Sequence, residues 1–194
     1  MYQYDAPMAP IESYAASAAT WQNFYLLVGA GAATLIGLMF VAITFGANLV
    51  TKESIHAARA FVDPTLNHFV QVLLTACLVT IPTMFPTLLG ILVLCVGAFR
   101  MGWLVKIFRH MLAVHRVTGD MELSDWMSGV VIPFATYALL LLSGVAFIES
   151  YAAAFNGLAI ATVAALMNGI LSAWELMVWL VLQRSRPEKE TPPQ

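Results

Sequence analysis

From Phe24 to Leu49 the chain carries no charged side chain. A helix crosses the hydrocarbon core of a bilayer with ~20 consecutive apolar residues, and this run meets that length with residues to spare. Further apolar runs follow at 64–81, 86–105, 126–148 and 156–182. Charged residues make up only 10% of the chain and hydrophobic ones 60%, where soluble domains carry about 25% charged residues. So few charges cannot cover a water-facing surface, so lipid is the expected solvent. The first twenty residues contain no Lys or Arg. A secretory signal peptide needs a basic stretch before its apolar core, so the first run is expected to stay in the protein as a helix.

The expected architecture is an all-α membrane protein, a bundle of five transmembrane helices. Residues 1–21 read as an extended extracytoplasmic arm, with Trp21 and Tyr25 suited to the headgroup level. Residues 22–183 form the transmembrane domain. Asp63-Pro64 reads as an N-cap followed by proline at the first helical position, so the second helix is expected to begin there. Pro82 and Pro86 favour a tight turn into the third. That helix is expected to continue past the membrane surface and stop near Thr118-Gly119. Ser124 can cap the fourth helix, with Pro133 as an expected kink. Residues 184–194 are charged and proline-containing, the composition of a disordered cytoplasmic tail. Cys77 and Cys95 lie in apolar runs and read as small buried hydrophobes, without metal or disulfide spacing.

The nine basic residues set the expected orientation. Lys52 and Arg59 lie in the first connection; Arg100, Lys106, Arg109 and Arg116 lie at the end of the third span and beyond; Arg184, Arg186 and Lys189 lie in the tail. Five crossings put all three groups on one side, which the positive-inside rule makes cytoplasmic, with the amino terminus outside. Lys106, Arg109 and Arg116, interleaved with Trp103, Phe108 and Leu112, are candidates for anionic lipid headgroups. Net charge is −2, so nucleic-acid binding has no support.

An ionisable group at the centre of a span costs ~2.5–3.5 kcal/mol on insertion scales and marks a functional candidate. Glu175 is the foremost one. It shares a small and polar stripe with Gly157, Ala161, Ala164, Asn168 and Ser172. Counting into each span puts Arg100 near the level of Glu175, with Asn67, His68 and Gln71 slightly nearer the cytoplasm and Thr44 and Asn48 at the end of the first span. These residues form an expected polar layer in the inner third of the membrane. It has a structural reading, in which Arg100 snorkels to the headgroups or pairs with Glu175 while Asn67 and Gln71 join helices. It also has a functional one, an ion- or proton-linked site of Glu175, Arg100 and His68.

Haem ligation needs two membrane histidines, and His68 alone lies within a span. His110 and His115, five apart, point to different faces. No cofactor or metal is expected. GxSxG, HExxH and P-loop patterns are absent from the sequence, so enzymatic chemistry has no motif behind it.

Three stretches carry a resemblance: Ala32 to Ile43 (AATLIGLMFVAI), Ala57 to Phe61 with the following Pro64, and Glu122 to Trp126. They resemble an uncharacterised family of small bacterial multi-helix inner-membrane proteins, over most of the chain. The resemblance implies the bacterial cytoplasmic membrane and no known activity, and no functional residue is carried over. Gly29, Ala33 and Gly37 in the first span, and Gly157 and Ala161 in the fifth, form small-residue stripes that let helices approach. They lead to the expectation of a homo-oligomer. Two functions are expected from different classes: a small channel or carrier using the polar layer, or a non-catalytic scaffold or modulator subunit of another membrane protein's complex.

Overall fold

The computed structural model of the chain describes residues 9–46, 55–81, 85–118, 130–151 and 153–184. These are almost wholly helical: α1 spans Ala9–Gly46, α2 Ile55–Thr80, α3 Pro86–Thr118, α4 Ile132–Ile148 and α5 Ala154–Arg184. Four of the five are long and apolar enough to cross a membrane. The exception, α4, has 17 residues, or about 26 Å at ~1.5 Å per residue against a hydrocarbon core of ~30 Å.

Two helix starts differ from the sequence reading. The arm expected over 1–21 is helical from Ala9. Its alanines are strong helix formers, and Tyr14 docks on Phe147 and Phe155, with ring centroids 6.5 and 5.5 Å away. The second helix begins at Ile55 rather than at Asp63-Pro64, and Pro64 lies inside it. The alanine-rich turn before Pro64 favours helix, and proline there removes one internal hydrogen bond without ending the element. Pro133 falls in the first turn of α4, preceded by π-type geometry at 130–131. Its missing N–H therefore costs little. The expected cap at Ser124, the centre of the Pro82–Pro86 turn, Gly119 and the tail lie outside the described residues.

The helices pack in the order α1, α2, α5, α4, α3, while the sequential pair α2 and α3 touches only lightly. Small residues set the close approaches. A Cβ on Gly90 would come within 2.7 Å of the Gly144 carbonyl oxygen, and one on Gly97 within 3.0 Å of Leu141. These two contacts run in opposite senses along the chain, so α3 and α4 are antiparallel. Gly29 abuts Ala76 on α2, and Gly157 abuts the Ser143 hydroxyl on α4. Ala161 is fully buried.

The stripe expected on α1 does not act as one face. Gly29 is buried, whereas Ala33 and Gly37 are exposed, and a Cβ on Gly37 would meet nothing. A repeat of four advances about 40° beyond a full turn at each step. By Gly37 the stripe has rotated away from α2. The other buried positions of α1 are Tyr25, Val28, Ala32 and Met39.

One end of the bundle is aromatic. Phe147 and Phe155 meet edge to face at 4.8 Å, and Trp21, Phe24 and Tyr25 continue the cluster along α1. Tyr25, expected at the headgroup level, is buried here and donates its hydroxyl to the Phe155 carbonyl at 3.5 Å. Cys77 and Cys95 are free and exposed rather than buried. In a chain solvated by lipid, apolar character does not separate inside from outside, because the outer surface is apolar as well.

The turn joining α4 to α5 is a Schellman motif. Tyr151 N–H donates to Ala146 C=O and Ser150 N–H to Phe147 C=O, the paired bonds that close a helix whose next residue is left-handed. That residue is Ser150, at φ 57°, where glycine is usual.

Candidate polar site within the bundle

Several hydroxyls in these helices satisfy themselves. Thr34, Thr44, Thr80, Thr136, Ser143 and Thr162 each donate to the carbonyl four residues earlier. Such back-bonding lets a short hydroxyl side chain sit in an apolar helix without a partner elsewhere. Thr44, expected in the polar layer, is one of these and is exposed; Asn48 lies outside the described residues. Amide, imidazole and guanidinium groups have no such local solution and must find other helices.

They find each other. The Arg100 guanidinium on α3 donates to Asn67 Oδ1 at 2.8 Å and to the Asn67 carbonyl at 3.0 Å. This two-pronged grip bridges the lightly packed α2 and α3. The second carbonyl lone pair of a helical residue is free to accept it. One residue on, His68 is buried, and its Nε2 lies 2.8 Å from Asn168 Nδ2 on α5. The His68 ring stacks against Tyr137 of α4, with centroids 6.4 Å apart and planes 18° from parallel. Gly169 makes this possible: a Cβ there would come within 2.7 Å of the Phe69 ring and 3.2 Å of His68 Cβ. Gln71 is buried one turn along α2. Asn67, His68, Gln71, Arg100 and Asn168 thus occupy one level, built from α2, α3 and α5 with α4 behind it.

Glu175 is not at that level. It lies two turns beyond Asn168, ~10 Å further along α5 at ~1.5 Å per residue, on an exposed position. Arg100 directs its hydrogen bonds to Asn67, not to Glu175. Counting inward from a span end put Glu175 at the level of Arg100, because register is set by the seat of Gly169 on Phe69 and not by where the apolar run begins. Ser172 is half-buried one turn past Asn168. Lys106 and Arg109 are exposed on α3, whereas the Arg116 side chain lies outside the described residues.

The sequence reading missed Tyr137, which lies beside Thr136 in α4. It also missed Thr65 and Thr75, which with the expected His68 and Gln71 make a buried polar face on α2. Their spacing of three and four was the available signal. Comparison with protein-family models, with curated proteins and with solved structures finds no match for this chain.

Proposed function

We propose that the chain is a multi-pass protein of a bacterial cytoplasmic membrane that passes a small polar solute or ion, as a channel or carrier, through the level of Asn67, His68, Gln71, Arg100 and Asn168. The observation that carries this reading is the hydrogen-bonded polar cluster inside an apolar bundle. Imidazole, amide and guanidinium groups are costly there, and van der Waals contact between small residues would join the helices without them. The light contact between α2 and α3 adds to the case, since Arg100 spans a boundary that side-chain packing leaves weak.

Five crossings, with the amino terminus outside, are the topology that gathers the nine basic residues on the cytoplasmic side. The π-type turn at 130–131 lengthens α4 toward the bilayer thickness. In this placement the polar level lies ~20 Å along α5 from Phe155, and Glu175 ~30 Å, a full hydrocarbon thickness. Glu175 then meets the cytoplasmic headgroups, and Lys106 and Arg109 on α3 meet anionic lipid. The open outer face at Ala33 and Gly37 is where a second copy would pack.

The test is flux in proteoliposomes holding the purified chain, with protons, potassium, chloride and glycerol as probes. The wild type passes at least one probe above protein-free vesicles. Asn168→Leu lowers that flux by about tenfold, the effect of ~1.4 kcal/mol on a barrier, at unchanged folded yield, while Glu175→Gln leaves it intact. Absence of flux for every probe, together with recovery of one constant protein partner from native membranes, would replace this reading with that of a scaffold or modulator subunit.

A further inference from the structure

Among the described residues, two buried side-chain atoms lack a hydrogen-bond partner: His68 Nδ1 and Gln71 Oε1. They belong to residues 5% and 1% exposed, three apart on one helix and so on one face of α2. Their chemistry is complementary. Asn168 Nδ2 is an amide nitrogen and can only donate, so His68 Nε2 accepts. A neutral imidazole accepting at Nε2 carries its proton on Nδ1. The unpartnered pair is therefore one donor, Nδ1–H, and one acceptor, Oε1.

Leaving either group unpaired in a buried site is costly, so something that satisfies both is favoured. A hydroxyl does so, accepting from Nδ1–H while donating to Oε1. A lone anion offers no proton to Oε1, and a cation accepts nothing from Nδ1–H. The Arg100 guanidinium, held on the neighbouring Asn67, further disfavours a cation.

We propose that His68 and Gln71 form a binding site for one hydroxyl group, supplied by an internal water or by a small neutral hydroxylated solute. The site deepens the polar-layer reading by naming its guest, and rests on that layer but not on flux. A guest without flux removes only the transport proposal, and flux without a guest removes only this one.

The experiment uses the full chain in lipid nanodiscs with 15N-labelled histidine, His68 being assigned by the loss of its signals in His68→Gln. The expected spectrum has a protonated Nδ1, a bare Nε2, and magnetisation transfer from Nδ1–H to a non-protein hydroxyl. Transfer at the water frequency that added glycerol leaves unchanged identifies water; transfer that moves to glycerol protons identifies a solute hydroxyl. Gln71→Met, similar in length but without the acceptor, abolishes the transfer. Transfer to protein protons alone, a protonated Nε2, or persistence in Gln71→Met overturns the proposal. If Gln71→Met does not fold, the wild-type spectrum decides alone.

Discussion

The two ends of α5 are held by different physics. Near its start, Phe155 sits among Tyr14, Tyr25 and Phe147 in a cluster of edge-on and tilted rings, with one long hydroxyl contact. About 20 Å further along at ~1.5 Å per residue, Asn168 enters a level where side-chain hydrogen bonds join α5 to α2 and α2 to α3. Ring packing tolerates small displacements, because each contact is weak and many share the load. A hydrogen bond of 2.8 Å to one specific nitrogen does not. The aromatic end is thus suited to stability and the polar end to a defined geometry.

That contrast can be broken most forcefully at the aromatic end. Phe147→Ala removes a buried ring from the centre of the cluster and should cost about 3–5 kcal/mol, read as unfolding free energy by steric trapping in bicelles. Flux per folded molecule should stay as in the wild type. A loss of flux as large as the loss of stability would show that the two ends are one unit.

Arg100→Met comes next. It deletes both bonds to Asn67, each a hydrogen bond to a charged donor worth ~1.5–3 kcal/mol in soluble proteins, but it also relieves the cost of holding a charge in the bundle. The expected net stability change is within about 2 kcal/mol. Flux should fall by at least about tenfold, a barrier change of only ~1.4 kcal/mol. Unchanged flux would make Arg100 a helix clasp and nothing more.

The smallest effect is expected at the turn beyond Phe147. Ser150 holds a left-handed conformation, so Ser150→Gly should relieve backbone strain and stabilise the bundle by about 0.5–1 kcal/mol. A denaturation series in detergent would check it. Destabilisation would mean that the serine side chain contributes more than its backbone costs.

The five helices were legible in the sequence because lipid imposes a length on apolar runs. Their starts were less so: alanine-rich turns before Trp21 and Pro64 look like connections until Tyr14 and the rest of α2 give them something to continue. Of the polar layer, Asn67, His68, Gln71, Arg100 and Asn168 could be found as polar groups within spans. Which of them would meet was not legible, since hydropathy carries no register. The same gap put Glu175 level with Arg100, where α5 carries it ~10 Å beyond Asn168. It also made Cys77 and Cys95 look buried, because an apolar residue is equally at home against lipid and against protein.

The bond between His68 and Asn168 joins residues 100 positions apart. During synthesis α2 reaches the membrane long before α5 exists, so His68 and Gln71 must first reside there without the helix that covers them. Arg100 arrives earlier and can clasp Asn67 at once, across a helix pair that otherwise holds together weakly. The order of arrival therefore makes the arginine clasp an early fastening and the histidine–asparagine bond the closing one. A chain that stops before Ala154 lacks the helix that supplies Asn168, and leaves His68 without the partner that completes the finished bundle.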